Sequence, residues 1–411
     1  FRTDLERFPM AAKTVSLHLS LGSTAAGFKS AGSPSAAHFR VMRHFSSPLL
    51  LGPEPSEKLL SLIMHLFSDE EAELVQHLGP LRPRSAAKIA SLSGRTKEEA
   101  ERTLDFLAFV KRVILAYGTP RKYTLLPIVP GTFEMALMTH DLSTRNDWHR
   151  RFAELFENLW DEGYIVHYTK RVMPGIRYLP VSMASASLSS AWPSERLEEI
   201  LAPYSDFAVG NCQCRVAMAL VEKGCGRPLE NCVVMGPNAS RFIERGLMRR
   251  TDAQEVLALK REAEESGCVS WINNDIGGLP RGNSSCSCCG CCCHAMRSIS
   301  QFNSPGMIAR PHFYPSLSGG LCVGCGKCAK ACPMGALSML GREPSFDRTR
   351  CIGCGLCVTA CGVNAITLSE AKDPALHRSS GLGLFFQLVP GYLSNAFRVW
   401  LGRKMGLRQT L

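Results

Sequence analysis

Two cysteine runs of identical spacing, Cys322-x2-Cys325-x2-Cys328-x3-Cys332 and Cys351-x2-Cys354-x2-Cys357-x3-Cys361, constrain this 411-residue chain more than any other feature. Four thiolates so spaced reach the corners of a cubane [4Fe–4S] cluster, three from one tight loop and the fourth from elsewhere. Glycines beside the central cysteines, such as Gly324 and Gly353, let each loop double back so that the sulfurs converge. Zinc also binds thiolates, but it takes four ligands per ion, usually from two separated pairs and not from a four-cysteine run closed by Pro333. The spacing therefore reads as iron–sulfur.

This segment resembles the bacterial-type two-cluster ferredoxins, in which the last cysteine of each run crosses to the other cluster. The resemblance implies one cluster on Cys322, Cys325, Cys328 and Cys361, and the other on Cys351, Cys354, Cys357 and Cys332. Gly362 stands where that family carries a proline, which leaves an extra backbone N–H and a looser chain beside one ligand. The expected consequence is a modest change in potential or robustness, not loss of the cluster. Lys327 and Lys330 beside the first run should raise its potential, because positive charge favours the reduced state.

A chain of this length with 45% hydrophobic residues can build two or three domains with real cores. Most of its nineteen cysteines cluster in C-x2-C and adjacent pairs, which suits metal ligation by reduced thiolates, so a reducing compartment is expected. From Ala11 to Pro53 there is no acidic residue, while Lys13, Lys29, Arg40 and Arg43 punctuate serine and alanine. Together with Arg43-His44-Phe45-Ser46, a mitochondrial-type processing site, this predicts a transit peptide over residues 1–45. The location expected is the mitochondrial matrix, or the cytoplasm if the segment is instead a disordered prokaryotic N-terminus. Its removal would lower the formal charge from +11 to +7.

Residues 57–140 show helical periodicity at Leu59–Phe67, Glu70–Leu78 and Ala86–Leu92, then a capping box at Thr96-Lys97-Glu98-Glu99. Strands at Val113–Tyr117 and Tyr123–Leu126, joined by Gly118-Thr119-Pro120-Arg121-Lys122, complete the pattern of a winged helix-turn-helix. The helix that would enter a DNA groove carries Glu98, Glu99, Glu101 and Asp105 against Lys97 and Arg102. Phosphate neutralisation needs the opposite balance, so this domain is expected to dock protein and not DNA.

Residues 141–318 form a second cysteine-rich module. Arg145–Trp160 predicts an amphipathic helix whose stripe Trp148, Phe152, Leu155, Phe156 and Leu159 is core. Tyr164–Leu179 reads as extended, Ser182–Ser190 as a loop and Glu195–Leu201 as a helix. Then follow Cys212-Gln213-Cys214-Arg215, Cys225, Cys232 and the run Cys286-Ser287-Cys288-Cys289-Gly290-Cys291-Cys292-Cys293-His294. Six thiols within eight residues would oxidise readily unless a metal held them. The isolated Cys268 reads as a buried small hydrophobe. Cys212, Cys214, Cys225 and Cys232 could supply one set of four, but neighbours such as Cys288 and Cys289 cannot both reach one small cluster. A long-range site joining the two groups is expected, either a third [4Fe–4S] cluster or structural zinc.

With this module included, residues 57–370 resemble a family of bacterial and archaeal iron–sulfur proteins. These combine a winged helix, a Cys-x-Cys-Arg segment, a Cys-x-Cys-Cys-x-Cys-Cys-Cys stretch and a two-cluster ferredoxin end, here residues 319–370. The fold class implied is multidomain α+β. A mitochondrial leader would make this a eukaryotic copy. Residues 371–411 form a basic, apolar tail: Leu382–Leu401 contains Phe385, Phe386, Tyr392, Phe397 and Trp400, followed by Arg403, Lys404 and Arg408. Pro390-Gly391 predicts two short amphipathic helices, set against a membrane surface, a partner subunit or the chain's own core.

No G-x-G-x-x-G at a strand–helix junction and no G-x-x-x-x-G-K-[ST] occurs, and no nucleophile–base constellation can be read. The chain is thus expected to be a non-catalytic electron carrier between a dehydrogenase, ferredoxin or reductase and a second redox partner. The alternatives are a redox-sensing DNA-binding regulator and a cluster assembly factor.

Overall fold

Side-chain caps start the N-terminal helices. Ser56 and Ser85 accept backbone N–H bonds at the heads of Glu57–Leu66 and Ala86–Ser93, while Ser68 with Glu71 and Thr96 with Glu99 form reciprocal boxes opening Asp69–Val75 and Lys97–Asp105. A hairpin follows, β1 (Ile114–Tyr117) antiparallel to β2 (Lys122–Leu125). The computed structural model describes residues 33–80, 82–169, 175–185, 196–273, 283–306, 308–372 and 381–405.

One helix precedes this set. Ala36–Phe45 is capped by Ser35 and buries Val41 and Phe45 in the same core as Leu59, Ile63 and Phe67. His38 Nε2 lies 2.8 Å from the Phe67 carbonyl oxygen. A cut before Ser46 would strip this helix from the core, so the segment expected to leave overlaps the folded body. Residues 1–32 lie outside the described residues.

The helix Asp147–Trp160 runs through the centre. Its stripe is core: Trp148 stacks on Phe152 at 5.7 Å and Phe156 on Phe133 at 4.2 Å. The same core takes in Val216, Ala217 and Leu220 of the helix Gln213–Leu220, which begins at the Cys-x-Cys-Arg segment. The stretch expected to be extended forms a helical turn at Val166–Thr169 and a strand only at β3 (Ile176–Tyr178). Of the expected loop, Ser182–Ser185 is a helical turn and residues 186–190 lie outside the described residues.

β3 joins β4 (Phe207–Asn211), β5 (Glu230–Met235), β6 (Arg249–Thr251), β7 (Val269–Asn273) and β8 (Asn283–Cys288) in an antiparallel sheet of order β3-β7-β8-β5-β4-β6. Alternation gives the sheet two apolar faces. Val209, Val233 and Ile272 pack with Val256 of the helix Ala253–Glu265 on one, and Ala208 and Val234 pack with Leu247 and Met248 on the other. The register sets Cys232 of β5 opposite Cys286 of β8.

The two cysteine runs sit in a frame of two small sheets. β9 (Phe313–Leu317) pairs with β12 (Ile366–Glu370), and β10 (Leu337–Leu340) pairs with β11 (Glu343–Phe346), both antiparallel. Because β9 belongs to this unit, it begins a few residues before the expected position 319. The tail differs from expectation: Gly381–Lys404 is a single helix with Pro390 inside it, not two. Proline removes one backbone donor, and a long helix can bridge that gap. Its C-terminal half packs on the chain itself, with Arg403 donating to the Ser46 and Gly52 carbonyls at 2.6 and 2.8 Å and Asn395 donating to the Tyr168 carbonyl. Among the described residues no helix is long and apolar enough to cross a membrane.

Candidate metal centres

The ferredoxin-like loops enclose two cavities. Cys322, Cys325, Cys328 and Cys361 line an outer one of about 310 Å³, and Cys332, Cys351, Cys354 and Cys357 an inner one of about 330 Å³, both volumes including the opening to solvent. The crossover arises because each fourth cysteine follows a short helix, Lys327–Ala331 or Leu356–Thr359, that carries the chain to the neighbouring loop. Two backbone amides four residues on, Ala336 and Ala365, donate to the sulfurs of Cys332 and Cys361 at 3.2 Å each. Such bonds stabilise a thiolate and fit the donor set to iron.

The two cavities differ in setting. Cys325 is exposed and Cys328 alone of the outer set is buried, whereas Cys354 and Cys357 of the inner set are both buried. Burial pushes the Cys351 thiol up to about 11 and Cys357 to about 12, and raises Cys354 as well, so loading metal must displace protons there. The inner loop is pressed against the middle module: the Cys354 carbonyl accepts the Val181 N–H at 2.9 Å. Gly355, at φ +76°, leaves no room for a side chain, since a Cβ would stand 2.5 Å from that of Ala184.

The middle-module cysteines separate into two groups. Cys212 touches Cys214 and Cys286; Cys293 touches Cys214 and Cys288; Cys232 touches Cys286. These six thiols, four buried and Cys214 and Cys232 half-buried, line one chamber that shares a continuous core with Cys354 and, at its margin, Cys332 and Cys351. Alternation along β8 puts Cys286 and Cys288 on one face. Cys225, Cys289, Cys291 and Cys292 form the second group, their sulfurs within 4.8 Å of one another. Cys225 thus parts from Cys212, Cys214 and Cys232, with which it could have made a set of four. Neighbouring Cys288 and Cys289 go to different groups, as the short reach between adjacent residues requires.

Two cations are buried at the chamber wall. Arg215, 2% exposed, donates to the Ser287 carbonyl at 3.0 Å and lies 3.3 Å from the Cys268 sulfur, while its Nε and Nη2 have no hydrogen-bond partner. Burial works against its charge, but the surrounding thiols Cys212, Cys268, Cys286 and Cys289 hold it above the ordinary arginine range. Lys260, 1% exposed, donates to the Asn231 carbonyl, and burial lowers it. A buried guanidinium with two unpartnered nitrogens beside thiols fits a site built for negative charge. Cys268 belongs to neither set of contacts but packs in one small core with Cys289 and Cys292, and burial raises it to about 11.

A second polar set was not legible as a site. His294 Nδ1 lies 3.3 Å from the Cys214 sulfur and its Nε2 2.7 Å from Glu157 Oε1, while Arg297 holds Glu157 Oε2 at 2.7 Å. Rings of Phe133, Phe156 and Trp160 surround the imidazole edge-on. Burial would raise the Glu157 carboxyl, but the His294 bond and the charges of His294 and Arg297 hold it below its usual range. The one local signal was an acidic residue beside Phe156 on the apolar side of a helix.

Comparison with known proteins agrees with this geometry over one stretch of the chain. Residues 321–365 match the family described as a 4Fe-4S dicluster domain. Neither the curated proteins nor the solved structures yield a match. The C-terminal part of this mixed helix-and-sheet chain, residues 321–365, is therefore a ferredoxin-type 4Fe-4S dicluster domain.

Proposed function

We propose that the chain is an iron–sulfur electron-transfer protein that exchanges electrons with a protein partner at its outer site and passes them inward. The observation that carries this reading is the unequal exposure of the two cavities, Cys325 at the surface and Cys354 in the core. Cys322, Cys325, Cys328 and Cys361 would hold the outer cluster, and Cys332, Cys351, Cys354 and Cys357 the inner one. A bound [4Fe–4S] cluster supplies one-electron chemistry at a potential set by charge, burial and hydrogen bonds to sulfur. Exposed Leu321, Val323, Leu340 and Val363 provide an apolar surface on the outer side, the kind of patch on which a dehydrogenase, ferredoxin or reductase can dock.

The six-thiol chamber is read as the seat of a third iron–sulfur cluster. Its support is the buried Arg215 guanidinium, whose Nε and Nη2 have no hydrogen-bond partner, and the core shared with the inner cavity. The N-terminal helices and hairpin are read as a winged helix that docks protein. Arg121 of the hairpin is paired with Asp105 and lies over Phe109, which removes one of the two hairpin cations from any DNA footprint. Phe397 and Trp400, stacked and exposed on the C-terminal helix, suit a partner subunit or membrane surface. The acid-free N-terminal segment favours the mitochondrial matrix as the location.

Cys325→Ser tests the direction of transfer. A protein-sized reductase should no longer reduce the variant, while a small mediator still reduces its inner site, both followed anaerobically by absorbance and EPR. Unchanged reduction by the protein donor would contradict the outer site as the docking point.

A further inference from the structure

We infer that Cys225, Cys289, Cys291 and Cys292 form a separate site for a single tetrahedral zinc ion. The spacing of the sulfurs suits one ion. Cys225 and Cys289 sulfurs are 3.8 Å apart, Cys291 and Cys292 sulfurs 3.7 Å apart, and all four lie within 4.8 Å of one another. A tetrahedral ion with metal–sulfur bonds of about 2.3 Å holds its thiolates about 3.8 Å from each other. A cubane places each thiolate on a different iron around a core with its own sulfides, which spreads the four outer sulfurs much wider. Four sulfurs this close can surround one ion but not a cluster.

The local chain explains how the set assembles. Cys289, Cys291 and Cys292 lie in the turn between β8 and the helix His294–Ser300, and Cys225 comes from the loop after Gln213–Leu220. Cys288 and Cys293, at either edge of that turn, belong to the chamber instead. Arg227 supplies a compensating charge: its Nη1 lies 3.4 Å from the Cys291 sulfur while its Nε is held by the Ser266 carbonyl. Four thiolates on a divalent ion leave a net negative site, which a positioned guanidinium offsets.

Four protein ligands leave no open position, so the ion's role is structural. It staples the turn carrying Gly290, where a Cβ would stand 2.2 Å from the Pro333 carbonyl oxygen. Pro333 follows Cys332, so the staple fixes the seam between the middle module and the inner cavity. Zinc has one accessible oxidation state and takes no part in the electron path. The inference therefore stands whether or not the electron-transfer reading does.

Metal analysis of the full chain, purified anaerobically, should find about one zinc per chain, and both Cys291→Ser and Cys225→Ser should lose it without loss of iron. Cys291 is exposed, so its variant folds even where Cys225→Ser does not. Cobalt(II) exchanged into the wild type should give the visible bands of a tetrahedral tetrathiolate, absent in Cys291→Ser. A zinc-free wild type, zinc retained in Cys291→Ser, or loss of about four irons from that variant would overturn the inference, the last by making the site a cubane.

Discussion

Exchange of Cys354 for serine should remove about four irons per chain and abolish the spin–spin interaction between the two ferredoxin sites in EPR of the reduced protein. Cys354 lines the inner cavity with Cys332, Cys351 and Cys357, it is 9% exposed, and its carbonyl is fixed by the Val181 amide. A serine hydroxyl in that apolar wall is a poor iron ligand. The outer cavity draws on none of these side chains, so its signal should persist as that of an isolated cluster. The inner wall also joins Tyr178, Met296 and Met334 in one core. Thermal stability should therefore fall together with the iron. Anaerobic iron and sulfide assays with EPR check both parts, and retention of full iron content would refute the ligand assignment.

The largest effect on folding is expected at Glu157. Its carboxylate is buried with Arg297 on one oxygen and His294 on the other, each at 2.7 Å. Leucine nearly preserves the volume, so Glu157→Leu isolates the charge. Removing one member of a buried pair costs about 3–5 kcal/mol, because the other is left uncompensated. Asp161 offers Arg297 only a weaker substitute, since it is 3.3 Å away and more than half exposed. Adding Arg297→Met should recover most of the loss, because apolar replacement of a whole buried pair is often neutral. Denaturant unfolding of the anaerobic protein measures this. A cost for the single variant below about 1 kcal/mol, the range of exposed pairs, would contradict it.

What could be read from the chain beforehand depended on how local its determinants are. The ferredoxin cysteines converge through loops of two and three residues, so spacing alone groups the members of each run, and the resemblance supplies the crossover. The short reach between neighbours separated Cys288 from Cys289, whereas the shared face of Cys286 and Cys288 follows from the strand Asn283–Cys288, which the cysteine-rich run did not announce. No such local rule separates Cys225 from Cys232, because that division depends on where β5 enters the sheet. Glu157 and His294 are 137 positions apart and meet only through packing of two helices. An acid-free composition over residues 11–53 suggested a leader but carried no information about Val41 and Phe45, whose four-residue spacing is that of a packed helix. Pro390 misled in the opposite direction, since one missing donor does not end a long helix.

Three iron–sulfur sites and one zinc site are proposed for this chain. Iron, sulfide and zinc content of the anaerobically purified full chain, measured on one sample, tests this most directly. The prediction is about twelve irons with matching sulfide and about one zinc. About eight irons would confine the clusters to the ferredoxin-like unit and contradict the chamber, and zinc without iron would contradict the electron-transfer reading itself.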